Sequence, residues 1–154
     1  MQRGDYLRWL YRTGRPNAFA RWQNRLSVRL TGRGLGPKRL VTLQVPGRRT
    51  GQMVSFPVVI ADVDGKTYLV AMLGAGTNWV RNVEATGGYA TLTRRSSQRV
   101  HLENVPVEER APIIKRFLAV APGARPHIRV DRHASLAQFH AVSADIPVFK
   151  ITPA

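Results

Sequence analysis

The sequence predicts a small α+β fold, mainly antiparallel β, in which five or six strands form a barrel with inserted helices and an N-terminal amphipathic basic helix. Three observations lead there. After residue 38 the helical period gives way to short β-branched runs. Those runs are joined as hairpins, with a helical stretch set between two of them, which does not fit an alternating βαβ pattern. The length of 154 residues with 44% hydrophobic content suits one domain with a real core.

Taken in order, the chain opens with a short helical stretch at Tyr6–Tyr11 that breaks at Gly14-Arg15-Pro16. From Asn17 to Leu30, Phe19, Trp22, Leu26 and Leu30 recur at spacings of three and four beside the row Arg21, Arg25 and Arg29. Residues 1–32 thus form a basic helical segment. Its arginine stripe fits a solvated face lying on the domain, or an interfacial helix meeting anionic lipid.

Residues Gly32 to Pro37 form a glycine-punctuated connector, and 39–152 hold the barrel. Strands are expected at Arg39–Val45, Met53–Ala61 and Lys66–Leu73, the last two joined by a tight Asp64-Gly65 turn. Thr77 is placed to cap a helix running through Glu84, with Trp79, Val80 and Val83 on its apolar face and Thr86-Gly87-Gly88 as its stop. A second hairpin, Gly88–Arg95 with Gln98–Val105, is expected to turn at Ser96-Ser97. A helix beginning at Val107 carries Glu108 and Glu109 in its first turn and presents Ile113, Ile114, Phe117 and Leu118 to a core. After Pro122-Gly123 the chain reads as irregular to about His133, then as a short helix over Ala134–Val142 and a closing strand at Ile146–Thr152.

The net charge of +15 calls for an anionic partner such as a phosphate, an acidic cofactor tail or an anionic lipid surface. Residues 1–39 hold ten Lys and Arg against Asp5 alone. There is no cysteine, which excludes disulfides, thiolate metal sites and a cysteine nucleophile. No apolar run approaches the roughly 20 residues that span a bilayer, and the arginine-broken N-terminus does not resemble a signal peptide. The expected location is cytoplasmic, with the N-terminal helix able to sit on the inner face of a membrane.

Two segments carry candidate chemistry. The first is the turn Pro46-Gly47-Arg48-Arg49-Thr50-Gly51-Gln52, which gathers two guanidinium groups, a hydroxyl and backbone N–H donors of the kind a phosphate needs. By itself it is equally a solvated hairpin tip. The second is Leu73-Gly74-Ala75-Gly76-Thr77-Asn78-Trp79, where small residues lead into a helix N-terminus and let a flat or anionic ligand approach the backbone. By itself it is equally a glycine-rich connection anchored by Trp79. It lacks the GxGxxG spacing of a dinucleotide site.

Together these segments, the strand carrying Pro57, the Asp64-Gly65 hairpin, the strand Tyr68-Leu69-Val70-Ala71 and the helix bearing Trp79 and Asn82 resemble the deazaflavin-dependent nitroreductase family. That family is a branch of the split β-barrel flavin-binding superfamily. The resemblance covers residues 39 to 107 well and the C-terminal part, ending at Pro147-Val148-Phe149, loosely. It implies a split β-barrel that binds the deazaflavin coenzyme F420, in preference to flavin mononucleotide, and uses its reduced form as a hydride donor. The implied acceptor is a small quinone, nitroaromatic or other activated unsaturated compound.

Carried over by position, Arg48, Arg49, Thr50 and Gly51 would hold the cofactor phosphate. Met72, Leu73, Gly74, Ala75 and Gly76 would line the deazaflavin ring, with Trp79 and Asn82 supporting the pocket beside it. Two departures weaken that anchoring. Val54 stands about where many relatives carry a further arginine, and the loop before Trp79 is cut to Gly74-Ala75-Gly76-Thr77. The substrate-side tyrosines of the best-known relatives have no clear counterparts in Ala124 to His133, so no catalytic residue is assigned. His127 and His133 are candidate proton donors by residue type alone.

Other functions find less in the sequence. His101, His127, His133 and His140 lack the spacing of a zinc site, so no metal is expected. There is no GxSxG elbow. Basic charge spread over several elements without a recognisable module predicts no nucleic-acid partner. A non-catalytic cofactor- or lipid-binding barrel is the alternative, and the oligomeric state is not legible.

Overall fold

A computed structural model describes residues 39–154, so the predicted basic helix in 1–32 lies outside the described residues. Seven strands form one antiparallel sheet: β1 (Leu40–Pro46), β2 (Met53–Val59), β3 (Ala61–Val63), β4 (Lys66–Val70), β5 (Tyr89–Arg94), β6 (Ser96–Asn104) and β7 (Val148–Pro153). Helix α1 (Asn78–Ala85) sits between β4 and β5, while α2 (Ala111–Val120) and α3 (Leu136–Val142) fall between β6 and β7. This is the mainly antiparallel barrel with inserted helices that the hairpin pattern predicts.

The order across the sheet is β2-β1-β5-β6-β7-β4-β3. Its two end strands, β2 and β3, are separated in the chain by Ile60 alone, so the sheet must curl until its ends meet. The expected single strand Met53–Ala61 therefore bends. Its first part ladders with β1 from Pro46↔Met53 to Leu40↔Val59, and its continuation ladders with β4 from Ala61↔Tyr68 to Val63↔Lys66. Arg39 holds the bend: its carbonyl accepts the Ile60 amide at 2.9 Å, and its Nη1 donates to the Ile60 carbonyl at 3.5 Å. Because β2 pairs only with β1, and β4 with β3 and β7, no ladder joins β2 to the C-terminal end of β4. A gap opens there.

Alternation in β1 sends Val41, Leu43 and Val45 into the barrel, where they meet Leu69, Val80, Val83, Val100 and Phe149. The outer side of β4 and β7 packs Val70 and Val148 against Ile114, Phe117 and Leu118 of α2 and Phe139 of α3. Each fully buried aliphatic or aromatic side chain contributes about 1.5–3 kcal/mol. Two cores thus flank the β4–β7 ladder, and α2 covers one of them.

Several boundaries differ from expectation for local reasons. The Asp64-Gly65 turn forms as predicted, with φ of 51° and 76° at the two residues, the paired positive values of a tight hairpin turn. The second hairpin instead turns on Arg95, at φ 64°, and Ser96 and Ser97 already belong to β6, opposite Arg94 and Thr93. Thr77 sits at the α1 N-cap but its side chain accepts no capping bond; its hydroxyl donates backward to the Gly74 carbonyl at 3.0 Å. Gly88 closes α1, its amide donating to the Val83 carbonyl at 3.0 Å. A side chain there would meet the Leu102 carbonyl at 2.7 Å, so only glycine fits.

The helix expected from Val107 starts as a 3₁₀ turn at Val107–Glu109, and α2 proper begins at Ala111. Between them Arg110 turns inward. It is buried, and Nε, Nη1 and Nη2 donate to the Val105 carbonyl (2.8 Å), the Ser143 carbonyl (2.9 Å) and Asn104 Oδ1 (3.0 Å). Burial lowers its pKa from the ordinary arginine value, yet the group stays protonated. Part of the stretch expected to be irregular winds into a 3₁₀ segment at Pro122–His127, and a Ser135–Gln138 capping box starts α3.

Candidate functional site

The gap between β2 and β4 is a cavity of about 630 Å³, within the range that holds a small ligand or cofactor ring. Phe56 to Val59 line it from β2, Val70, Met72 and Leu73 from the end of β4, Trp79 from α1, and Phe117 with Val120 to Ala124 from α2 and the turn after it. Of its described lining residues only Arg39 and His127 are ionisable. An apolar slot with a few polar groups at defined points is the usual make-up of a small-molecule site.

Three of the residues expected at the cofactor, Met72, Leu73 and Trp79, reach this cavity, as does His127, one of the two candidate proton donors. Trp79 is buried and its indole lies tilted against Phe149, with ring centroids 5.8 Å apart, which fixes the wall it provides. Gly74, Ala75 and Gly76 do not line the cavity; they form the turn that delivers the chain into α1. The Gly74 carbonyl accepts from the Thr77 hydroxyl, and the exposed Ala75 and Gly76 amides donate to nothing among the described residues.

The basic turn is a closed loop. The Gly47 amide donates to the Gln52 carbonyl and the Gly51 amide to the Gly47 carbonyl, both at 2.8 Å, while Thr50 Oγ1 accepts the Gln52 amide at 3.2 Å. Arg49, Thr50 and Gly51 are exposed, and Arg48 is half-buried. Asn82, buried on α1, is where the turn is tied down. Its Oδ1 accepts the Arg48 amide at 3.1 Å and Arg48 Nη1 at 2.9 Å. Asn82 thus anchors the basic turn and does not itself line the cavity.

Trp79 and Asn82 lie three residues apart on α1 and hence on one side of the helix. One element therefore joins the cavity to the basic turn. On the opposite flank stands a group that the sequence did not single out. Asp62 on β3 is ion-paired with Arg39 and, at 3.3 Å, with Arg116 of α2. The hydrogen bond from Arg39, more than the charges around it, holds the Asp62 carboxyl below the usual carboxylate range. A signal existed: acids are scarce in a chain with 24 Lys and Arg against nine Asp and Glu, and Asp62 interrupts an otherwise apolar run. His133 makes its contacts elsewhere, at Arg132 and Asp131.

Among the described residues no cluster of His, Cys, Asp and Glu could hold a metal ion, and no helix is long and apolar enough to cross a membrane.

A model of the F420H(2)-dependent quinone reductase family matches residues 17–137. No curated protein matches the chain. Among solved structures, an F420-H2 dependent reductase is similar at 18% identity, covering 75% of this chain and 95% of its own, with a TM-score of 0.50. A conserved hypothetical protein from Mycobacterium tuberculosis is similar at 16% identity, over 75% of this chain and 72% of its own, with a TM-score of 0.51. A structure described as a domain-swapped dimer is similar at 16% identity, over 88% of this chain and all of its own, with a TM-score of 0.53. At these identities the structural likenesses establish the split-barrel fold.

Proposed function

The chain belongs to the F420H(2)-dependent quinone reductase family, and we propose that it reduces a quinone, nitroaromatic or similar small acceptor in the slot between β2 and β4. It is an F420-dependent reductase, and coenzyme F420 is its cofactor. The observation that carries the site assignment is α1: Trp79 gives this helix a wall of the apolar slot, and Asn82 gives it a grip on the basic turn. Those two parts suit the two ends of a cofactor with a flat ring and an anionic tail.

The residues present fit the cofactor. Met72, Leu73 and Trp79 would pack the ring, the exposed Ala75 and Gly76 amides would meet polar atoms at its edge, and Arg48, Arg49, Thr50 and Gly51 would hold the phosphate. When bound, the reduced cofactor supplies a hydride. What the chain contributes is placement and dryness: apolar walls keep the acceptor against its donor and exclude water. The reduced acceptor also needs a proton. His127, the imidazole on the cavity wall, can deliver one.

Oxidation of reduced F420 by purified protein with a quinone or a nitroaromatic tests this reading. Acceptor-dependent oxidation is expected, and tight F420 binding without turnover would point instead to a cofactor carrier. The basic stretch 1–32 would bring the protein to an anionic lipid surface. Vesicle co-sedimentation with and without those residues tests that step, and equal binding by both forms would sink it.

A further inference from the structure

Arg39 is one of two ionisable side chains among the described residues that line the slot, and those residues engage only part of its guanidinium. Its Nη1 alone makes hydrogen bonds, to Asp62 and to the Ile60 carbonyl. Nε and Nη2, the edge that pairs with a carboxylate in two parallel bonds, have no partner among the described residues. The side chain is 37% exposed, so a ligand in the slot can reach it. Asp62 binds two guanidinium groups with one carboxylate, which leaves a net positive charge at this rim and holds Arg39 in a fixed orientation.

We infer that the Nε and Nη2 edge of Arg39 receives an oxyanion of the acceptor, so that the enzyme prefers ring acceptors carrying a carboxylate or sulfonate. The inference rests on the slot being the acceptor site. Asp62 is the positioning residue, and Arg116 supplies the second cation that keeps the cluster positive. His127 on the same wall remains the group for proton delivery, so recognition and protonation belong to different side chains. Arg39 also holds the bend at Ile60, but its carbonyl does part of that and stays in place whatever side chain stands there.

The test compares 1,4-naphthoquinone with 1,4-naphthoquinone-2-sulfonate, measured by calorimetric binding to the full chain and by turnover with reduced F420. The native protein should bind the sulfonate more tightly by on the order of tenfold. Arg39→Met should bring the ratio of the two affinities to about one, and Arg39→Lys, which keeps the charge without the fork, should fall between. The ratio of kcat/KM values should follow. No preference in the native protein, or a preference that survives in both variants, overturns the assignment to Arg39.

Val59→Phe, which narrows the slot, separates this failure from that of the underlying reading. If it leaves binding of both quinones unchanged, the slot is not the acceptor site and both proposals fall. If it weakens both while the Arg39 variants keep the native ratio, only the role of Arg39 is lost.

Discussion

Asn82 fastens the basic turn to helix α1 through a single oxygen, which accepts from both the backbone amide and the side chain of Arg48. Because Asn82 is buried, water cannot replace it as a partner for Arg48. Substitution by alanine should loosen the turn and weaken F420 binding by about 1–2 kcal/mol. A fluorescence titration of the cofactor measures this, and an unchanged dissociation constant would show that the turn does not depend on α1.

Arg48 and Arg49 should divide their labour. If the turn holds the cofactor phosphate as proposed, alanine at both positions is expected to cost about 2–4 kcal/mol of cofactor affinity, since each would remove charge-assisted bonds to an anion. Arg49 is exposed, so Arg49→Ala alone should leave thermal stability within about 0.5 kcal/mol of native while affinity falls. Arg48→Ala should lower both. Parallel melting curves and cofactor titrations separate the two residues, and loss of stability in Arg49→Ala would contradict the division.

These contacts show where sequence reading succeeds and where it stops. Asp64-Gly65 was legible because both residue types tolerate the positive φ that a tight turn needs, and the apolar face of α2 because Ile113, Ile114, Phe117 and Leu118 repeat with the helical period. The Arg48–Asn82 bond joins residues 34 apart and leaves no local trace. The bend at Ile60 is equally silent: Val58, Val59, Ile60 and Ala61 read as one uninterrupted strand, and only pairing with two different partners divides it. Arg95 was overlooked because two serines beside it look more turn-like than an arginine at positive φ. Within the site, the two segments could be read but not the cavity, whose walls come from β2, β4, α1 and α2.

Arg110 is a buried cation that makes no ion pair among the described residues; its guanidinium donates to carbonyl and amide oxygens, and the charge of Glu108 favours its protonated form. Arg110→Met fills similar space but strips the Val105 carbonyl of its donor and leaves the Ser143 carbonyl only the Ile146 amide, at 3.3 Å. The expected destabilisation is about 2–4 kcal/mol, read from chemical denaturation. Cofactor affinity of the remaining folded protein should hold, because Arg110 lies outside the slot.

Asp62 sets part of the acid response. Its carboxyl titrates lower in the folded chain than in the unfolded one, so its contribution to stability is complete above about pH 4 and is lost as pH falls through the lowered value. Asp62→Asn should therefore be less stable than the native protein at neutral pH, with the difference closing under acid. Melting temperatures of both proteins from about pH 2.5 to pH 7 give the comparison. A difference that stays constant across that range would exclude Asp62 as a source of the acid sensitivity.

The slot owes its volume to strands that part company at Ile60, and both cores end on its walls, Val70 and Phe117 from one and Val58 and Trp79 from the other. Exchanges at the half-buried Phe56, Val59 or Val120, which pack on the edges of the cores, alter what fits at less cost than exchanges at the buried Val70 or Phe117, which would open a void. Reshaping the slot is thus coupled to the stability of the barrel, and the coupling is weakest at those three positions.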